Sequence, residues 1–280
     1  LGNPKLDVLD LKGISAEAKN FKVPFIVDNT VATPYLLRPI EYGADIVIHS
    51  LTKYISGNGT SLGGVIIDAG KFDWSNGKFP EFTEPSAGYH GLVYHEALGN
   101  AAFIAKARIE GLRDFGAALS PFNAFQIIQG LETLPIRIKK HSENALALAE
   151  WLEKQDEVVW VNYPGLKSSK YYDLSQQYLP QGQSGVVTFG LKGGFEAAKK
   201  VVDETKLFSL LANIGDTKSL IIHPASTTHQ QLSEEDQLST GVSKDLIRLS
   251  VGIEDIEDLI ADLKSVFENV AKTQYNISKN

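Results

Sequence analysis

The chain has 280 residues, a formal net charge of −7 and 43% hydrophobic residues, which is the composition of a globular protein that buries a sizeable core. The acidic balance predicts no nucleic-acid partner, and no apolar run approaches the roughly 18 residues that span a bilayer. Cysteine is absent, which excludes disulfides and thiolate catalysis, and the six histidines form no metal-binding motif, so we expect no metal site.

The first third of the chain predicts short strands that alternate with helical segments. Residues 23–28, 45–49 and 63–68 are apolar runs typical of buried strands, and 39–42 predicts a helical turn that begins at a proline. This pattern favours an α/β sheet that is mostly parallel. Residues 69–90 have no clear period and predict a long loop.

The remainder predicts three helices followed by a smaller α/β domain. Helices are predicted at 94–112, 119–133 and 134–155 and then at 195–202 and 254–270, with strands at 158–161, 185–191, 219–223 and 246–251. We place a domain boundary near Pro135, giving domains 1–135 and 136–280. The polar tail after Val270 is expected to fray.

Polar side chains follow two of the predicted strands directly. Asp28 ends the first strand, and the turn Ser50-Leu51-Thr52-Lys53 follows the second. Ligands of open α/β sheets bind outside the carboxyl ends of the strands, so these groups are expected to meet. An amine, a carboxylate and two hydroxyls suit pyridoxal 5′-phosphate (PLP), which needs a lysine, an acid beside its ring nitrogen and phosphate donors. The alternative is that Asp28 caps a turn and Lys53 is a surface lysine.

The ordered motifs of this chain resemble those of the Cys/Met-metabolism PLP-dependent enzymes. Asp28-Asn29-Thr30 and Ser50-Leu51-Thr52-Lys53-Tyr54 carry the resemblance, and it extends over nearly the whole sequence. Further matching segments are Gly2-Asn3-Pro4, Gly130-Leu131-Glu132-Thr133-Leu134, Arg137, His141-Ser142-Glu143-Asn144-Ala145, His223-Pro224-Ala225-Ser226-Thr227-Thr228-His229 and Ile247-Arg248-Leu249-Ser250-Val251-Gly252-Ile253-Glu254. The resemblance implies a fold type I PLP-dependent transferase, with a large PLP-binding domain and a smaller C-terminal α/β domain.

Within this family the sequence is most similar to the O-acetylhomoserine sulfhydrylase branch. The similar segments are Gly88-Tyr89-His90-Gly91, Glu110-Gly111-Leu112-Arg113-Asp114 and Asn213-Ile214-Gly215-Asp216. The resemblance implies γ-replacement in methionine biosynthesis, in which O-acetyl-L-homoserine and sulfide give L-homocysteine and acetate. It also implies a cytoplasmic homotetramer. Cystathionine γ-synthase and the methionine or cystathionine γ-lyases remain alternatives.

The family resemblance assigns a role to each candidate site residue. Lys53 is expected to attach PLP covalently and to move protons. Three further cofactor contacts are implied: Asp28 at the pyridine nitrogen, and Ser50 and Thr52 at the phosphate. The remaining expected contacts are Asn3 near the cofactor and the substrate, Arg248 on the substrate carboxylate, and Asn213 on the same carboxylate. Tyr54 is expected to serve packing.

The sequence departs from the family pattern in two places. Gly57-Asn58-Gly59 stands where relatives commonly have Gly-His-Gly. The N-terminal segment that in relatives completes the phosphate site is missing. The chain begins at Leu1 and contains no methionine, so we expect it to be part of a longer polypeptide. A truncated, catalytically silent paralogue that binds partners is the alternative from a different class.

Overall fold

The computed structural model describes residues 1–277, with side chains described through residue 270. The strands are β1 (Ile26–Asp28), β2 (Ile46–Ser50), β3 (Gly64–Asp68), β4 (Val158–Asn162), β5 (Val186–Leu191), β6 (Ser209–Leu210), β7 (Leu220–Ile222) and β8 (Leu246–Ser250). The α-helices are α1 (Leu11–Asn20), α2 (Thr33–Leu36), α3 (Pro80–Thr83), α4 (Tyr94–Leu98), α5 (Ala102–Lys106), α6 (Pro121–Leu152), α7 (Tyr172–Tyr178), α8 (Gly194–Glu204), α9 (Glu234–Ser239) and α10 (Ile256–Ile277). Among these described residues, no helix is both long and apolar enough to cross a membrane.

The N-terminal sheet has the order β1-β2-β3 and confirms the predicted α/β class. β1 pairs parallel to β2, as expected for a mostly parallel sheet. β3 runs antiparallel to β2, which differs from that expectation. β1 begins three residues later than predicted, after Pro24, which has no N–H to donate to a sheet. The N–H of Phe25 instead donates to the carboxylate of Asp45 at 2.9 Å.

The segment between β3 and α6 differs from the prediction of one continuous helix over 94–112. The helix breaks at Gly99, whose φ of 52° lies in the left-handed region, and it resumes in short turns. The segment is held by an aromatic cluster around the buried Trp74, whose ring stacks on Phe103 at 5.2 Å and lies 4.5 Å from Phe82.

A single 32-residue helix, α6, occupies the region where two helices were predicted. It begins at an N-cap serine, Ser120, whose side chain accepts a hydrogen bond from Asn123, and it continues through Pro135. Pro135 removes one helical hydrogen bond to the carbonyl of Leu131, and both residues are exposed, so water can replace that bond. α6 therefore joins the two halves of the fold without a break.

The C-terminal sheet has the order β4-β5-β8-β7-β6, with β5 buried along its whole length. The predicted strands in this half are confirmed with ends shifted by one or two residues. α8 and α10 pack on this sheet, and Val201 and Leu263 lie in the same core as Leu148 of α6. α10 runs to Ile277 and so includes the first part of the tail after Val270, whose fraying stays a prediction, and 278–280 lie outside the described residues.

Candidate active site

Lys53 lies on an irregular turn that directly follows β2. The turn, Leu51–Ile55, has the i→i+5 pattern of a π-helix, since the N–H of Ser56 donates to the carbonyl of Leu51 at 3.0 Å. Within it Lys53 has a non-helical backbone, with φ −91° and ψ −128°. The turn therefore directs the lysine away from the helical path, and its side-chain amine donates to Oδ1 of Asn213 at 2.5 Å.

The surroundings of Lys53 favour its neutral form. Burial, and then the nearby positive charge of Arg248, lower the pKa of Lys53 from its ordinary value of 10.5. Its hydrogen-bond acceptor, the Asn213 amide, carries no charge that would oppose this shift. A lysine must be neutral to act as a nucleophile or a base, so this amine is suited to both tasks.

Arg248 projects from β8 with part of its guanidinium group uncommitted. Nη2 donates to the carbonyl of Asn213 at 3.1 Å, and Nη1 makes a long contact of 3.4 Å with Oδ1 of Asn3. Its Nε is buried and has no hydrogen-bond partner in the part of the chain that the structure describes. A guanidinium with an unused donor is suited to bind a carboxylate.

Asp28, Ser50 and Thr52 lie at the same edge of the sheet. The carboxylate of Asp28 accepts from the N–H of Thr30 at 2.9 Å, and the Thr30 hydroxyl accepts from the N–H of Ser50 at 2.8 Å. The Thr52 hydroxyl ties its turn to the residue before β3, because it accepts from the N–H of Gly63 at 3.1 Å and donates to the Gly63 carbonyl at 3.3 Å.

The structure thus brings four of the seven predicted site residues into one hydrogen-bonded group. That group is Lys53, Asn213, Arg248 and Asn3. The others form a second set at the strand ends, and within residues 1–277 no hydrogen bond joins Asp28 to Lys53. Nor does the described part of the chain contain a cluster of histidine and acidic residues that could hold a metal.

Sequence reasoning assigned no role to two buried histidines beside these groups. His49, on β2, has an unpartnered Nδ1, and burial lowers its pKa although the charge of Asp28 opposes the shift. His141 lies edge-on to the Tyr54 ring at 5.3 Å, and its Nδ1 is 2.6 Å from the carbonyl of Val251. His49 could have been noticed because it precedes the Ser50–Lys53 turn, whereas no local signal pointed to the partners of His141.

Comparison with known proteins gives a family match over most of the chain. The family described as Cys/Met metabolism PLP-dependent enzyme matches residues 1–268. The chain is 55% identical over 279 residues to an O-acetyl-L-homoserine sulfhydrylase of Leptospira meyeri, covering 96% of this chain and 63% of that protein. It is 50% identical to a homocysteine/cysteine synthase of Saccharomyces cerevisiae, covering 96% of this chain and 64% of that protein.

A solved structure gives the same match. It is a putative O-acetylhomoserine (thiol)-lyase from Campylobacter jejuni with N′-pyridoxyl-lysine-5′-monophosphate, and it superposes with a TM-score of 0.92 at 46% identity. The alignment covers 96% of this chain and 64% of that one. The chain therefore spans a little less than two thirds of the length of these relatives.

Proposed function

The chain belongs to the Cys/Met-metabolism family of PLP-dependent enzymes, and from that premise we propose that the protein is an O-acetylhomoserine sulfhydrylase. The proposed reaction joins O-acetyl-L-homoserine and hydrogen sulfide, with L-homocysteine and acetic acid as products. The bond between Cγ and the acetate oxygen breaks, and a bond between Cγ and sulfur forms. This reaction belongs to methionine biosynthesis.

The observation that carries the proposal is the state of Lys53. Its amine is half-buried, its pKa is lowered by burial and by Arg248, and its hydrogen bond goes to a neutral amide rather than to a counterion. A surface lysine, the alternative left open by the sequence, would have neither the fixed partner nor the lowered pKa. The relatives at 50–55% identity support this branch of the family over a cystathionine γ-synthase or a γ-lyase.

The side chains present fit the chemistry of PLP. Lys53 would attach the cofactor aldehyde, Asp28 would hold its ring nitrogen, and Ser50 and Thr52 would contribute to the phosphate site. The Ser50 hydroxyl has no partner among the described residues, and Asp28 is exposed, so both are open to a ligand. When bound, PLP would supply the electron sink that stabilises negative charge at the substrate α-carbon.

The protein side chains would supply placement and proton transfer. Arg248 would bind the substrate α-carboxylate through its guanidinium fork, and Asn213 and Asn3 would hold that arginine and contact the substrate. Lys53 would remove and return protons at Cα of the substrate. Its lowered pKa keeps part of the amine neutral for this step.

We also propose a cytoplasmic homotetramer with domains 1–135 and 136–280. Exposed apolar side chains support an interface: Leu62 is 75%, Phe115 86% and Phe122 67% exposed. The core of the C-terminal sheet takes its buried residues only from 145–270, which supports a separate second domain. Light scattering of the full-length protein tests the assembly.

The function is tested on the full-length protein by absorbance and product analysis. We expect a visible PLP band, its loss in Lys53→Ala, and its retention in the control Lys71→Ala, which changes an exposed lysine. With O-acetyl-L-homoserine and sulfide, the wild-type protein should release homocysteine. Cysteine in place of sulfide, and methionine alone, serve as the assays for cystathionine synthesis and for γ-elimination.

Each outcome selects one function. A band with homocysteine formation supports the sulfhydrylase. A band with cystathionine or 2-oxobutyrate as the main product would move the function to a synthase or a lyase. The absence of any band after PLP addition would leave the silent paralogue as the better account.

A further inference from the structure

A buried arginine, Arg137 of α6, contacts the backbone of the turn that carries Lys53. Its guanidinium donates to the carbonyls of Tyr54 at 2.7 Å and Ile55 at 3.1 Å. It also donates to the carbonyl of Gly130 at 2.6 Å and to the Thr133 hydroxyl at 3.0 Å. Four of its five N–H groups are thus bound, all to neutral oxygen atoms.

Arg137 is buried without a counterion. It is 7% exposed, and no carboxylate pairs with it in the part of the chain that the structure describes. Burying a charge costs free energy unless its donors all find acceptors. If helix packing were the only requirement, an apolar residue at this position would therefore be more favourable than an arginine. Helix packing alone does not explain this arginine, whereas a requirement for several donors at the turn does.

The turn has carbonyls that its own backbone does not satisfy. Two main-chain bonds close it, from Ser56 to Leu51 at 3.0 Å and from Gly57 to Lys53 at 2.8 Å. The carbonyls at the end of such a short helical segment have no partners within it. The rigid fork of Arg137 supplies those partners, which a lysine, with its single point charge, cannot match.

Two glycines make the close approach possible. A Cβ at Gly57, where φ is 76°, would collide with the guanidinium of Arg137. A Cβ at Gly130 would lie 2.7 Å from the carbonyl oxygen of Ile55 and would meet the backbone of Ser56 more closely still. The absence of a Cβ at both positions therefore allows α6, the Arg137 side chain and the turn to pack at this distance.

We propose that Arg137 is a positioning residue that holds the Leu51–Ile55 turn so that the amine of Lys53 stays at Asn213 and beside Arg248. The proposal rests on the proposed function, because it assigns Lys53 the role of cofactor lysine. Arg137 itself touches neither the lysine side chain nor the predicted substrate groups. It acts through the backbone that directly follows the lysine, at the carbonyls of Tyr54 and Ile55.

The test combines hydrogen exchange in the cofactor-free full-length protein with the pH dependence of PLP attachment. In Arg137→Met the amides of residues 51–57 should exchange about tenfold faster or more, because charged hydrogen bonds to the turn are lost. Arg137→Lys should fall between this variant and the wild type. The pH midpoint for formation of the PLP band should rise in both, because Lys53 moves towards water and away from Arg248.

Asn144→Ala is the matched control on the same helix. Asn144 is buried and donates to the carbonyls of Gly252 at 3.1 Å and Glu254 at 2.8 Å, so its loss weakens α6 packing elsewhere. It should leave exchange of 51–57 and the pH midpoint unchanged. Thr133→Val removes the acceptor for Nε and the 3.2 Å hydrogen bond from the Thr133 hydroxyl to the carbonyl of Gly130, but leaves the Arg137 bonds to the turn in place. It provides a milder variant should Arg137→Met fail to fold, and a smaller change in the same direction is expected.

The outcomes separate this proposal from the proposed function. If the wild-type band forms but exchange of 51–57 in the Arg137 and Thr133 variants rises no more than in Asn144→Ala, the role of Arg137 is refuted and the enzyme assignment stands. If the wild-type protein forms no band, the proposed function fails and the positioning role falls with it, whatever the exchange rates show.

Discussion

The amine of Lys53 donates a 2.5 Å hydrogen bond to Oδ1 of Asn213, a residue 160 positions later in the chain. This contact joins the turn after β2 to the segment before β7 and so links the two halves of the fold. Because the acceptor is a neutral amide, it fixes the position of the amine without the attraction between opposite charges by which a carboxylate would favour the ammonium form. The position and the protonation state of the lysine are thereby set by different groups.

Replacing Asn213 by aspartate tests that separation. A carboxylate beside the amine favours the ammonium form, so the pKa of Lys53 should rise by about 1 unit or more. At neutral pH less of the amine is then neutral, and PLP attachment should slow about tenfold. The pH dependence of the rate at which the visible band forms measures the effect. Asn213→Ser, which adds no charge, is the control, and equal midpoints in the two variants would contradict the prediction.

Arg248→Gln should affect the amino-acid substrate and not sulfide. Loss of the guanidinium removes the proposed carboxylate contact, and KM for O-acetyl-L-homoserine should rise about 100-fold, the equivalent of roughly 3 kcal/mol. KM for sulfide should change little. Arg248→Lys keeps the charge but lacks the fork, so an intermediate value is expected. Steady-state kinetics with each substrate varied in turn would falsify this assignment by showing equal increases in both constants.

His141 should make the folded state sensitive to acid. Burial lowers its pKa from 6.5 to about 4, so between these values the unfolded chain binds a proton that the folded chain does not. Stability should therefore be complete above pH 6.5 and fall as pH decreases to about 4, by up to roughly 3 kcal/mol.

Urea unfolding at pH 7 and pH 4.5 measures this loss. In His141→Gln the difference between the two pH values should shrink, whereas in His90→Gln, which changes an exposed histidine, it should match the wild type. An unchanged difference in His141→Gln would show that other groups account for acid sensitivity.

Tyr54→Phe should change neither stability nor activity by much. The Tyr54 side chain is fully buried, and its hydroxyl makes no hydrogen bond of ordinary geometry within the described residues. Ser184, Gly185 and Ser250 lie near enough to offset part of the rise in its pKa that burial causes. Removing an unpaired buried hydroxyl is expected to change the free energy of unfolding by less than about 1 kcal/mol, in either direction. Thermal unfolding and the homocysteine assay check this, and a large loss of activity at unchanged stability would give the hydroxyl a chemical role that packing does not predict.

The sequence by itself determined the strand ends and the family. Asp28 and the Ser50–Lys53 turn follow apolar runs whose lengths and neighbours are local properties of the chain, so they could be predicted without coordinates. The ordered motifs then predicted that Lys53 is the lysine that would attach PLP. The helix prediction failed where local preference was overridden: α6 passes through Pro135 because the lost hydrogen bond lies on the exposed side of the helix.

Only the tertiary structure decided which groups surround that lysine. Arg137 reaches a carbonyl 83 residues away, Asn213 reaches an amine 160 residues away, and β3 runs antiparallel to β2. No local pattern encodes such pairs, because a side chain's partners depend on the path of the whole chain. The pKa of Lys53 follows from that path, since burial and the charge of Arg248 exist only once the distant segments have packed together.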